Sequence, residues 1–263
     1  MTLLYVPAGE FTMGGGCNPS AAPAAGAGAI EKPAGHIVYL DAFWIDQTEV
    51  TNAQFKKFVD ATGYQTYADR YFIFDPNQGT SSGGGESTNW QHPQGPSSNL
   101  NELDNHPVVQ VSWNDAQAYC QWAGGNLPTD AQWEKAARGN DKRTYPWGNQ
   151  AVAGNLLNFA DRSLDIWRDS DKNVDDGYQF ASPVGHYPDG ASPYGALDMA
   201  GNVWEWAKDL YHEKYDDNAP ASGSDRIMRG GSWSSNATQA KASCIAWNNP
   251  DRAGGVIGFR CAR

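Results

Sequence analysis

Between Gly139 and Asp225 the chain sustains neither a helical nor a strand period. So long a stretch folds only as ordered loop, held by side chains that it buries. The composition provides the anchors and the turns, with 11 Trp, 12 Tyr, 9 Phe, 29 Gly and 15 Pro. Regular elements are therefore expected mainly at the two ends. At 263 residues the chain is long enough to bury a sizeable core without disulfides.

Leu3–Met13 and His36–Thr48 carry short apolar runs, and the Gly- and Ala-rich Gly14–Gly28 joins them, which predicts a hairpin. Thr51-Asn52-Ala53-Gln54 is a capping box that opens a helix from about Asn52 to Ala61, stopped by Gly63. Gln65 to Asn105 is expected as a second long loop, with Tyr71, Phe72, Phe74 and Trp90 to bury. Pro107–Trp113 has the pattern of a strand. Ser112 opens a second helix carrying Ala116, Tyr119, Cys120 and Trp122, and Thr129 to Gln132 caps a third carrying Trp133, Ala136 and Ala137. Arg226–Trp233 and Val256–Arg263 read as closing strands. Early helices, terminal strands that pair and no visible linker give one α+β domain over 1–263.

Several functions are disfavoured at this stage. The formal net charge is -11 with no basic cluster, which argues against nucleic acid. No apolar run approaches the ~20 residues of a membrane span. The first residues lack a basic region and a long apolar core, so the expected compartment is cytoplasmic, a trimmed leader aside. Cys17, Cys120, Cys244 and Cys261 form no CxxC pair, and His36, His92, His106, His186 and His212 are scattered. Neither a GxSxG motif nor a P-loop is present.

Six segments occur in a telling order: His106–Ala116, Asn126–Glu134, Tyr145–Asn149, Gly201–Trp206, Arg229–Trp233 and Gly258–Cys261. Together they resemble the formylglycine-generating-enzyme (sulfatase-modifying-factor) family. The resemblance implies a C-type-lectin-like fold, with little regular secondary structure and paired N- and C-terminal strands. It also implies calcium. One site would use Asp198 and Glu205 beside main-chain oxygens of Met199, Gly201 and Val203; a second would use Asn158, Asp176 and main-chain oxygens of Phe159 and Tyr178. Calcium takes 6–8 such oxygens, although Asp175-Asp176-Gly177 is also an ordinary turn string.

The family's oxidases hold copper on two cysteines just after Gly-Gly-Ser, because copper(I) selects soft sulfur. Here Ser235 stands at the first position and Ala240 at the second, while Ser232 and Trp204 keep the neighbourhood. No copper is expected, and no catalytic residue is assigned. Cys244 lies four residues past Ala240 and would make half a site. The related iron enzymes of thiohistidine synthesis carry an extra helical domain with histidine ligands, which nothing here supplies. By the resemblance, Cys120 and Cys261 occupy positions that form a disulfide in secretory relatives, although a reducing cytoplasm would leave them free. Cys244 loses its family partner, since Ala136-Ala137-Arg138 stands where relatives have cysteine.

The variable proteins of diversity-generating retroelements share this signature, and their C-terminal repeat starts near Arg-Gly-Gly-Ser-Trp and ends near Ile-Gly-Phe-Arg. Both borders are present, at Arg229–Trp233 and Ile257–Arg260. The segment 230–260 then becomes a display surface contacting a protein or other macromolecular ligand. Its contact residues would be Ser234, Ser235, Asn236, Cys244, Ile245, Ala246, Trp247, Gly254, Gly255 and Val256. The rivals are an oxidoreductase acting on a protein cysteine, or a catalytically dead paralogue of one.

Overall fold

The structure, a computed structural model, describes residues 2–15, 28–30, 35–67, 70–75, 80–84, 88–164, 170–211 and 224–263, with backbone alone for 28–30, 70–75 and 80–84. Cys17, His212, most of the Gly14–Gly28 loop and the side chains of Tyr71, Phe72 and Phe74 lie outside that description. In chain order the strands are β1 (Leu3–Val6), β2 (Gly9–Met13), β3 (Gly28–Ile30), β4 (His36–Leu40) and β5 (Phe43–Asp46). Then come β6 (Arg70–Asp75), β7 (Thr80–Gly84), β8 (Trp204–Leu210), β9 (Arg226–Arg229), β10 (Ile245–Asn248), β11 (Arg252–Gly254) and β12 (Ile257–Gly258). The helices are α1 (Asn52–Thr62), α2 (Trp113–Trp122) and α3 (Asp130–Arg138).

The expected N-terminal hairpin forms one ribbon. β1 pairs with β5 and β2 with β4 in a single register, from Leu3 opposite Asp46 to Met13 opposite His36. The far edge of β5 takes the C-terminus: Trp44 and Arg263 exchange N–H···O bonds of 2.8 Å, and the Asp46 N–H donates to the Cys261 carbonyl at 2.9 Å. The two ends of the chain thus share one strand. The principal sheet has the order β12-β8-β9-β10-β3, and a smaller one the order β11-β6-β7.

All three helices start on a reciprocal capping box, at Thr51/Gln54, Ser112/Asp115 and Thr129/Gln132. Each box satisfies two N–H groups that a helix start leaves without partners. α1 and α2 pack aromatic faces, with Phe55 stacked on Tyr119 at 5.8 Å and Tyr119 edge-on to Phe259 at 5.4 Å. A disulfide between Cys120 and Cys261, Cα atoms 5.5 Å apart, ties α2 to the segment that follows β12. Trp204, Trp206, Trp233, Met228 and Phe259 continue this core beneath the principal sheet.

Three expected strands shrink, and the closing one over Val256–Arg263 is reduced to Ile257–Gly258. Pro107–Trp113 makes only an isolated bridge between Pro107 and Thr51, because Gln110 adopts φ 58° and ends any extended run. The strand expected over Arg226–Trp233 stops at Arg229, where Gly230 and Gly231 turn with positive φ.

Charge is buried at the centre. Arg260 is fully buried and all five of its N–H groups are used. Nε and Nη2 grip Glu205 at 2.7 Å each; Nη1 serves the Asp46 and Gln47 carbonyls, and Nη2 also serves Leu197. Arg260→Met should cost ~3–5 kcal/mol, since it strands a buried carboxylate. Adding Glu205→Gln should recover only part of that, because three carbonyls stay without their donor. Urea midpoints of the single and double variants read both outcomes.

Candidate functional site

The turn after β9 builds the position where the family's thiols would stand. Gly231 has φ 79°, and a Cβ there would lie 3.2 Å from the Ala240 Cα. Only glycine lets the two backbones approach this closely. Ser235 Oγ accepts the Ser232 N–H at 3.0 Å, and the Ser232 hydroxyl lies 3.2 Å from those of both Ser234 and Ser235. All three serines are buried, as is Ala240, which packs in a cluster with Tyr145, Leu157 and Phe159. Trp233 is buried too; its indole N–H donates to the Gly255 carbonyl at 3.2 Å and its ring meets Phe180 edge-on. Cys244 is disulfide-bonded even though Ala136–Arg138 offers no cysteine where the family's partner would stand.

This part of the molecule can pack and hydrogen-bond, but hydroxyls and a methyl cannot do thiolate redox chemistry. At its rim Tyr145 and Trp147 stack at 4.8 Å, and the Tyr145 hydroxyl donates to the Ala237 carbonyl at 3.0 Å.

The expected display surface is not on the surface. Ser234, Ser235, Cys244, Ile245, Ala246, Gly254, Gly255 and Val256 are all buried, and only Asn236 and Trp247 are half-exposed. The reason is topological. β10 lies between β9 and β3, and β11 is covered by its parallel pairing with β6. Small residues there are small because the core is tight, as Ala246 shows among Trp206, Met228 and Trp233.

The two oxygen sets expected for calcium have different surroundings. Asp198 (φ 57°), Met199, Gly201, Val203 and Glu205 do line one turn, and a Cβ on Gly201 would fall 2.0 Å from the Asn158 carbonyl oxygen. Both Glu205 oxygens, however, are held by Arg260, and one also accepts the Trp133 indole N–H at 2.8 Å. The guanidinium supplies the positive charge that calcium was expected to bring, so Glu205 is a salt-bridge partner rather than an open ligand. The Asp198 carboxylate takes the Gly185 N–H.

In the second set Asp176 accepts the Phe159 and Tyr178 N–H groups, both at 2.9 Å, and the Tyr178 carbonyl accepts the Ser163 hydroxyl at 3.0 Å. Burial, with Asp161 and Asp175 nearby, pushes Asp176 up to about 7. Asn158 keeps its Oδ1 buried with no partner. Among the described residues, no three His, Cys, Asp or Glu side chains gather as a metal cluster.

Sequence reasoning missed Glu49, Asn202 and Arg260. The Asn202 side-chain amide donates to Glu49 at 3.1 Å and its oxygen accepts the Ser182 N–H at 2.9 Å, while its backbone N–H donates to the carbonyl of Asn158 in the second oxygen set at 2.8 Å. Glu49 is fully buried; burial, then the Asp198 and Glu205 charges, hold its carboxyl far above the usual range against the opposing pull of Arg260. A lone Glu after Thr48 offered no signal, but Arg260 lies inside the Gly-Phe-Arg-Cys motif and could have been asked for its counter-ion.

Comparison with known proteins places this geometry. The family model described as "Sulfatase-modifying factor enzyme 1-like domain" matches residues 1–263. The formylglycine-generating enzyme of Mus musculus is 36% identical over 290 residues, covering 99% of this chain and 74% of that protein. The mouse protein called inactive C-alpha-formylglycine-generating enzyme 2 is 35% identical over 286 residues, covering 99% and 85%. PvdO from Pseudomonas aeruginosa superimposes with TM-score 0.71 at 25% identity, covering 99% of this chain and 93% of that one. Treponema denticola variable protein 1 does so with TM-score 0.65 at 20% identity, covering 99% and 94%. The fold is thus the C-type-lectin-like fold of the formylglycine-generating enzymes, and variable proteins share it.

Burial reverses what randomising Ser234, Ser235, Ala246, Gly254, Gly255 and Val256 together would do. Most library members should fail to fold, since a charge or bulk placed in a packed core costs more than the ±0.5 kcal/mol of surface changes. Sorting the library by protease resistance measures this. A majority of folded members would restore the display surface.

Proposed function

We propose a non-catalytic binding role from one premise: the chain belongs to the sulfatase-modifying factor enzyme 1-like family, the family of the formylglycine-generating enzymes, and lacks the thiols of its oxidases. The carrying observation is the pair Ser235 and Ala240, both buried and packed where the family would hold copper. Cys244, the nearest thiol in sequence, is in a disulfide. The resemblance to relatives named inactive supports the same reading, whereas those named as enzymes are equally similar, so the site decides.

Ligand contact on this reading belongs to the half-exposed rim formed by Asn236, Ala237 and Thr238 beside Tyr145 and Trp147, and to Trp247, not to the buried small residues. The partner is a protein or other macromolecule. No helix among the described residues is long and apolar enough to cross a membrane. The Cys120–Cys261 disulfide favours maturation in an oxidising compartment over the cytoplasmic default.

Purified protein given copper(I) should leave a Cys-x-Pro-x-Arg peptide unconverted. The double variant Ser235→Cys, Ala240→Cys should gain copper(I) binding that the parent lacks. Peptide mass spectrometry and a competitive copper(I) chelator read the two results, and turnover by the parent protein would end the non-catalytic reading.

Calcium belongs to the proposal at the Asn158/Asp176 set, where the unpartnered Asn158 oxygen and the Asp176 carboxylate supply hard ligands. It would pin loops that no strand ladder holds. Calcium added to chelator-treated protein should raise the melting temperature, by about 2.7 kcal/mol of stability at a hundredfold excess over Kd. In Asp176→Ala the calcium-dependent shift should vanish, while Asp198→Ala should keep it. Differential scanning fluorimetry with and without chelator separates the two sites.

A further inference from the structure

The inner face of the principal sheet ends in two donors that nothing in the described structure accepts. Asn248 on β10 stands opposite Arg226 on β9. Directly opposed residues on one sheet face carry Cβ atoms about 5 Å apart, so the two side chains are neighbours. Asn248 is 3% exposed, and its Nδ2 has no partner. Its Oδ1 accepts the Asn249 N–H at 2.9 Å, which fixes which end of the amide is the donor. Arg226 Nε is likewise buried without a partner, while Nη1 donates to the Lys208 carbonyl at 2.8 Å. The guanidinium lies 4.0 Å over the Trp113 ring.

The nearby carboxylates are turned elsewhere. Asp209 accepts the Asp130 N–H at 2.6 Å, and Asp251 accepts the Asn114 amide at 2.9 Å. Burial lowers the Arg226 pKa, and Asp209 offsets this only in part. A donor pair left like this in a native core is expensive, at ~1–3 kcal/mol for each group. Arg226 is the half-exposed member, so the opening to solvent is on its side.

We propose that Arg226 and Asn248 form a carboxylate-binding site at the open end of the principal sheet. One charged and one neutral donor, backed by an indole, suit a planar monoanion. A phosphate dianion would ask for more positive charge than a single arginine provides. The carboxylate enters as the guanidinium slides along Trp113 and gives up the Lys208 carbonyl. Its source is a free organic acid or the C-terminus of a peptide, and the site stands whether or not the domain catalyses.

The test is a titration of the ¹⁵N-labelled chain, followed at the Arg226 Nε–H and Asn248 side-chain amide resonances. The probes are sodium acetate, a tripeptide with a free C-terminus and the same tripeptide amidated, with sodium chloride at matched ionic strength as control. Both resonances should shift saturably with acetate and with the free tripeptide, and stay still with the amide and with chloride. An affinity at least about tenfold higher for the tripeptide assigns the site to peptides. Asn248→Asp is nearly isosteric; it gives Arg226 an internal acceptor and should weaken carboxylate binding by about tenfold or more. Should that variant fail to fold, Arg226→Gln replaces it, and the parent titration stands alone. Resonances unmoved by acetate and the free tripeptide, or moved equally by chloride, overturn the site, as does a crystal grown in acetate with only water between the two donors.

Discussion

The fold depends on one buried ion pair, between Arg260 near the C-terminus and Glu205 on β8. Removing both charges from water costs several kcal/mol per ion, and only good geometry with every remaining proton satisfied offsets it. Arg260 meets that condition by donating to Glu205 and to the Asp46, Gln47 and Leu197 carbonyls together. Those five contacts join the N-terminal ribbon, the acidic turn and the principal sheet. The Cys120–Cys261 disulfide, one residue along, fixes the same segment to α2. A second buried group repeats the device: Arg229, at the end of β9, pairs with Asp130 and Glu134 on α3.

How much of this was legible in the sequence follows from the range of each signal. The helix starts were readable because a capping box is a four-residue device whose partners are all local, and all three formed. The ribbon was readable because its apolar runs are short and uninterrupted. The strand expected over Pro107–Trp113 was not, since its pattern of apolar residues says nothing of the positive φ at Gln110. The sheet order could not be read either: β8 and β9 are close in sequence, but β12 and β3 join them from opposite ends of the chain.

The site was legible as a list of positions and illegible as an environment. Ser235 and Ala240 were placed by the resemblance alone, and the structure packs both beside the Gly-Gly-Ser turn. The contact set lies in the core because border motifs and small size do not report burial: Ala246 and Gly254 are as natural in a tight core as in a variable loop. Glu205 was read as a calcium ligand without its partner in view, for a related reason. A carboxylate has one charge to place, and the sequence could not reveal that Arg260, 55 residues away, already takes it.

The loss of the thiols did not leave a gap to be repaired. Ser235 caps the Ser232 N–H, a task that its hydroxyl performs at 3.0 Å within the turn itself. Ala240 fills the opposite side with a methyl packed among Tyr145, Leu157 and Phe159. Each substitution therefore satisfies a packing or hydrogen-bonding demand at its own position. A redox pair constrains both residues at once, since each thiol is useful only with the other. Once that joint constraint is released, the two positions answer to the core separately, and hydroxyl and methyl are what the core rewards. On the non-catalytic reading proposed above, the chemistry left to the domain lies at its rim and in its buried unpaired donors.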